Sequence, residues 1–184
     1  MNFPRILKKR KGYIVRIKPF MQKSVVKVLT GQRRVGKSFL LYQLIEEILA
    51  EEPDANIIYV NLEDFTFSSL QTAEDLHSYI ISHSKEKVKN YIFIDEIQDI
   101  PGFEKVIRSL LLNEDNDIYI TGSNAKMLSG ELATYLSGRY IEFKIYSLSY
   151  SEFLEFHGLT ESETSYELYS RYGGLPYLLN LPLE

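Results

Sequence analysis

Short apolar runs alternate with amphipathic stretches along the chain. Val25 to Leu29, Ile57 to Val60, Tyr91 to Ile94 and Ile118 to Ile120 are brief runs rich in Val, Ile and Tyr and bounded by turn residues. They predict strands buried on both faces, as in a parallel sheet covered by helices. Between them, Leu40, Leu41, Leu44, Ile45, Ile48 and Leu49 recur at helical spacing, as do Phe103, Val106, Ile107, Leu110 and Leu111. Strands alternating with amphipathic helices predict βαβ units and a layered α/β domain. Tyr140 to Ile145 differs, because apolar and charged residues alternate there. One face of that strand should be wet, which predicts the edge of the sheet. Ser149-Tyr150-Ser151-Glu152 then has capping-box spacing ahead of Phe153, Leu154 and Phe156, with Gly158 as the stop. A further helical stretch carrying Tyr166, Leu168 and Tyr169 is expected to end at Gly173-Gly174.

Composition fits one globular domain: 184 residues, 45% of them hydrophobic, leave enough apolar mass for a core. No run of about 18 uninterrupted apolar residues exists, and Pro4 to Lys11 has no following apolar block, so neither a membrane span nor a secretory signal is expected. With no Cys, and with His77, His83 and His157 scattered, there is no disulfide framework or thiolate metal site, and a cytoplasmic location is expected. The chain stops at Leu181-Pro182-Leu183-Glu184 without a terminating signal, which reads as a piece of a longer protein whose last two residues derive from a vector.

The net charge of -4 conceals an asymmetry. The first 45 residues carry 12 Lys or Arg and no acid, so the remainder holds all 25 acids. Such a cationic segment suits nucleic acid or phosphate, or it is a solvated face. Tyr13 and Phe20 lie among the cations of Arg5 to Lys27, a composition compatible with single-strand binding. The alternation Tyr13-Ile14-Val15-Arg16-Ile17-Lys18 also reads as a surface strand or hairpin.

The sharpest signal is Gly31-Gln32-Arg33-Arg34-Val35-Gly36-Lys37-Ser38, which matches G-x-x-x-x-G-K-[ST] in full, after a predicted strand and before a helix that Phe39 enters. Glycines let the backbone curl with its amides inward, and the helix N-terminus adds partial positive charge, so donors converge on a polyphosphate. Lys37 would set a full charge on the β- and γ-phosphates, and Ser38 would offer a hydroxyl to Mg²⁺. Arg33 and Arg34 either reach phosphates or a neighbouring subunit, or point to solvent. Tyr91-Ile92-Phe93-Ile94-Asp95-Glu96 places two acids at the end of a buried strand. Asp95 would hold Mg²⁺ through water, and Glu96 would orient or deprotonate an attacking water.

Taken with Ile120-Thr121-Gly122-Ser123-Asn124 and Leu136-Ser137-Gly138-Arg139-Tyr140, these motifs resemble those of the AAA+ ATPases. Within that group they are similar to the prokaryotic ATP-binding proteins related to archaeal ATPases and to STAND proteins. The resemblance covers residues 24 to 180. It implies an α/β P-loop NTPase fold with a five-stranded parallel sheet in the order 5-1-4-3-2, followed by a small helical lid. The domains expected are a basic N-terminal segment at 1–23, an ATPase core at 24–147 and the start of a lid at 148–184.

The resemblance also implies site roles. Ser123 or Asn124 would sense the γ-phosphate. Asn61 is similar to the polar residue that in some AAA+ proteins restrains the catalytic glutamate. Arg139 stands where a serine-arginine motif sends an arginine into a neighbouring subunit's site, which implies a homo-oligomer; otherwise it is a surface arginine paired with Glu142 or Glu131. The lid arginine usual in the family has no counterpart after Gly173-Gly174, and Arg171 precedes those glycines. The activity implied is Mg²⁺-dependent ATP hydrolysis coupled to conformational change in an attached domain. A nucleotide-gated switch for protein or DNA with negligible hydrolysis is the alternative, and a small-molecule kinase is a third.

Overall fold

The structure is a computed structural model that describes residues 8–123, 134–136 and 138–180. Its strands are β1 (Val26–Thr30), β2 (Asn56–Asn61), β3 (Asn90–Asp95), β4 (Asn116–Gly122) and β5 (Tyr140–Lys144). They form one sheet in the order β2-β3-β4-β1-β5. Every pairing is parallel, so the order expected from sequence holds. The three inner strands are buried along their whole length, whereas β2 and β5 are partly exposed. The mixed pattern at Tyr140 to Ile145 therefore does mark a sheet edge.

Among the described residues the helices that accompany the sheet include α1 (Lys11–Ile17), α2 (Lys37–Glu51), α3 (Ala73–His83), α4 (Phe103–Leu110), α5 (Tyr150–His157) and α6 (Glu163–Tyr172). Strand periodicity divides the core between two faces. Val26, Val28, Ile92, Ile94, Ile118 and Ile120 point to α3 and α4, where Leu76, Ile80, Phe103, Val106 and Ile107 cover them. Leu29, Tyr91, Phe93, Tyr119 and Phe143 point the other way, onto Leu40, Leu41, Leu44 and Ile45 of α2 and Ile14 and Ile17 of α1. A smaller cluster of Leu148, Phe153 and Phe156 with Leu168 and Tyr169 joins α5 to α6.

Two elements depart from the sequence reading. The segment at Tyr13 to Lys18 is helical rather than a strand or hairpin. Ile14 and Ile17 are three apart, so a helix buries both, while Val15 is left 69% exposed on the outer face. Helix α3 is the other, unforeseen although Thr72 and Asp75 form a capping box and Leu76 and Ile80 sit at i, i+4. The expected capping box at Ser149 and Glu152 is present, as is the left-handed stop at Gly158.

Candidate nucleotide site

Parallel strands all end on the same side, and that crevice is where this fold gathers ligands. Thr30 pairs with Gly122, and Asn61 with Asp95, so the exits of β1, β2, β3 and β4 lie side by side. From Thr30 the chain turns through the glycine-rich loop directly into α2 at Lys37. Gly31 has φ 150°, and a Cβ there would lie 2.2 Å from the Ile145 carbonyl oxygen, so only glycine lets the loop pass the end of β5. Gly36, at φ 95°, makes the left-handed turn that starts the helix.

Lys37 is 4% exposed. Its Nζ donates to the Gly31 and Gln32 carbonyls at 3.3 Å and lies 3.2 Å from Glu96 Oε1. The loop lysine and the second acid of β3 thus form a buried ion pair. Glu96 adopts a left-handed conformation at φ 55°, which turns its side chain off the strand towards the loop. Its Oε2 accepts from Gln98 Nε2 at 2.7 Å, and the Ser123 hydroxyl also bonds to it. Burial works against its charge, but the bonds from Gln98, Lys37 and Ser123 outweigh it and hold Glu96 below the usual carboxylate range.

Asp95 has the opposite tendency: burial pushes it up, the Ser38 and Thr121 hydroxyls pull it back, and the Glu96 charge raises it again. Thr121 is a residue to which the sequence reading gave no role. Its hydroxyl donates to Asp95 Oδ1 and accepts the Glu96 amide at 3.0 Å, tying both acids to β4. Tyr59 OH donates to Asp95 Oδ2 at 3.3 Å. Burial and the Asp95 charge push that phenol above its ordinary range, so it remains a donor. Ser38 and Asp95 bring a hydroxyl and a carboxylate near each other, hard oxygen donors of the kind that Mg²⁺ takes. Among the described residues no group of three or more His, Cys, Asp or Glu forms a separate metal cluster.

The remaining predicted residues are distributed differently. Gln32, Arg33 and Arg34 are exposed, and Arg33 lies 3.9 Å from Glu63, with both side chains largely in solvent. Val35 is buried against α2, while Phe39 is 48% exposed beside Tyr42. Asn61 Oδ1 accepts the Glu63 amide in a local turn, and among the described residues it is Gln98 that bonds Glu96 Oε2. Asn124 lies outside the described residues, as does Glu131. Arg139 is exposed at the start of β5, its carbonyl accepting the Val26 amide at 3.0 Å, and so stands at the end of the sheet away from the loop. Glu142 is bonded to the Thr30 hydroxyl at 2.5 Å.

Several cations of the N-terminal quarter are paired with acids. Lys9 and Lys18 pair with Glu46, Glu47 and Glu51 of α2. Arg10, itself buried, binds the part-buried Glu152, and Lys27 binds Asp117 with both side chains buried. Part of the charge asymmetry in the sequence is therefore met within the chain, by Lys9 and Lys18, which flank α1, on the acids of α2.

Comparison with known proteins agrees with this geometry. An uncharacterised protein of Haemophilus influenzae is 41% identical over 178 residues, covering 91% of this chain and 43% of that protein. One from Methanocaldococcus jannaschii is 37% identical over 132 residues, covering 71% of this chain and 28% of the relative. The chain thus spans less than half the length of these curated relatives. Domain III of the Thermotoga maritima replication initiation protein DnaA superposes with a TM-score of 0.62 at 14% identity, covering 95% of this chain and 82% of that one. A family model described as "AAA domain" matches residues 23–154. The chain belongs to that family and is a P-loop domain of the AAA+ type.

Proposed function

We propose that the chain binds Mg·ATP at the Gly31 to Ser38 loop and hydrolyses its terminal phosphoanhydride, and that the cycle moves the α5–α6 tail. The observation that carries this is the convergence of Lys37, Ser38, Asp95 and Glu96 within one crevice. Loop amides and the α2 N-terminus attract the polyphosphate, and Lys37 exchanges Glu96 for phosphate oxygens. Ser38 and Asp95 would hold Mg²⁺, which would supply neutralisation of the phosphate charge. Once released from Lys37, Glu96 accepts a proton from the attacking water as its oxygen bonds to the γ-phosphorus and the bond to the leaving ADP oxygen breaks. Its bonds to Gln98, Lys37 and Ser123 keep Glu96 ionised before that exchange, and loss of the Lys37 charge from beside it then raises its affinity for the water's proton. Ser123 beside Glu96 supports a part in orienting the water.

Arg139 stands at the far end of its own sheet, so it serves a site only by entering a second copy's crevice, and hydrolysis would then require a homo-oligomer. Partners include protein or DNA acted on by the rest of the protein. The pairing of Lys9 and Lys18 with α2 favours protein over DNA at the N-terminal face. Among the described residues no helix is long and apolar enough to cross a membrane.

A second reading, a nucleotide-gated switch with little turnover, is favoured by one feature. Both oxygens of Glu96 are already engaged, by Lys37 and Gln98. Steady-state ATP hydrolysis by wild type and Glu96→Gln separates the two. Turnover that falls by orders of magnitude in the variant supports the ATPase; wild-type turnover no faster than spontaneous hydrolysis supports the switch; equal turnover in both removes Glu96 from the chemistry.

A further inference from the structure

Arg10 is the best-connected side chain of the described N-terminal segment, and it lies outside the motif that marks the site. It is 4% exposed. A guanidinium carries five N–H donors in a fixed fork, and here each one faces an acceptor. Nε and Nη2 grip Glu152 Oε1 and Oε2 at 2.9 and 2.8 Å. Nη1 reaches the Tyr146 carbonyl at 2.8 Å and the Val35 carbonyl at 3.3 Å, and Nη2 also reaches the Ser147 carbonyl at 3.4 Å. The Arg10 amide is fixed by Gln43 Oε1 of α2 at 2.9 Å.

Those acceptors belong to different segments of the fold. Val35 directly precedes Gly36 and Lys37 in the phosphate loop. Tyr146 and Ser147 form the connection from β5 to the tail. Glu152 is the capping-box acid of α5, whose Oε2 also accepts the Ser149 amide at 3.0 Å. The tail returns to the loop at a second point, where Pro176 Cγ would lie 3.7 Å from a Cβ on Gly36, and the Leu148 amide anchors that return through the Gly174 carbonyl at 2.6 Å.

We propose that Arg10 is a positioning residue that rivets the phosphate loop to α5, so that loop shape and tail orientation change together. This rests on the nucleotide-binding reading of the loop. A lysine keeps the charge but loses the fork, so it cannot span Glu152 and Val35 at once. Losing the charge-assisted hydrogen bond to the Val35 carbonyl, the one that holds the loop, lowers affinity for a phosphate ligand by about tenfold.

The test uses the whole chain, which has no native cysteine, with spin labels at Lys105→Cys in α4 and Ser170→Cys in α6. Distances are recorded with and without a non-hydrolysable Mg·ATP analogue, and its affinity is measured by calorimetry. Wild type should give one narrow ligand-free distance that shifts on binding. Arg10→Lys and Glu152→Gln should each broaden the ligand-free distance and weaken binding about tenfold, and the double variant should weaken it no further. Asp117→Asn, which loosens the opposite end of the sheet, should leave affinity within twofold and so controls for simple instability. If Arg10→Lys fails to fold, Glu152→Gln carries the same comparison. Unchanged distances, or affinity within twofold of wild type in both variants while Lys37→Ala loses binding, would overturn the rivet and leave the nucleotide site standing. If wild type binds no analogue at all, the nucleotide reading fails, and the ligand-free distances alone decide whether Arg10 fixes the tail.

Discussion

Replacing Glu96 by glutamine should tighten nucleotide binding as well as stop turnover. In the structure Lys37 is held by Glu96, and under the proposed function an incoming triphosphate would have to take that charge over. At an effective dielectric of about 20, unit charges 3.2 Å apart attract by roughly 5 kcal/mol. Desolvation of both groups cancels most of this, leaving about 1–2 kcal/mol, between an exposed pair and a fully buried one. Glutamine keeps the shape and can still accept a bond, but it returns that amount to the ligand. It also removes a negative charge from beside the phosphates. Affinity should therefore rise by roughly 5- to 30-fold. The assay is calorimetric titration with a non-hydrolysable ATP analogue and Mg²⁺, so that loss of hydrolysis cannot mimic tighter binding. Equal or weaker affinity in Glu96→Gln would show that the ion pair does not compete with the ligand.

Further expectations concern the frame around the site. Gly31→Ala drives a Cβ to 2.2 Å from the Ile145 carbonyl, whereas a Cβ at Gly36 has 3.7 Å of room and meets only backbone strain. Urea denaturation should show about 1–2 kcal/mol lost for Gly36→Ala and at least about 1 kcal/mol more for Gly31→Ala; equal losses would contradict the close approach. Lys27 and Asp117 are both fully buried, and Asp117 also accepts from Tyr119 OH and the Gln22 amide. Asp117→Asn should cost about 3–5 kcal/mol, a fall in Tm of roughly 6–20 °C in a domain of this size, and a calorimetric shift under about 2 °C would refute it. Burial favours protonation of Glu152, but the Arg10 and Ser149 bonds outweigh it and hold this acid below the usual range. Its contribution to stability is complete above the ordinary value of about 4.3 and is lost as pH falls through the lowered native value. Between about pH 5 and pH 3 the Tm of Glu152→Gln should therefore fall less than that of wild type.

The sheet was legible because its inner strands are buried on both faces and so carry uninterrupted apolar runs. The phosphate loop was legible because its chemistry is contiguous in sequence. What escaped depends on contacts between distant segments. Thr121 gains its role only because β4 lies beside β3, which sets its hydroxyl between Asp95 and the Glu96 amide. Gln98 restrains Glu96 because a left-handed residue turns the chain back, and nothing in the string Asp95-Glu96-Ile97-Gln98 announces that turn. The helix at α1 was obscured because Tyr13 to Lys18 satisfies a period of two locally, and only the surface of α2 selects the helical face. Helix α3 was readable in principle, from Thr72, Asp75, Leu76 and Ile80.

The most direct measurement is calorimetric titration of Mg·ATP into the wild-type chain and into Lys37→Ala. One-to-one binding to wild type that disappears in the variant is expected, because Lys37 supplies the charge at the head of the loop. No heat with wild type, or binding that survives in Lys37→Ala unchanged, would contradict the assignment of the crevice as a triphosphate site.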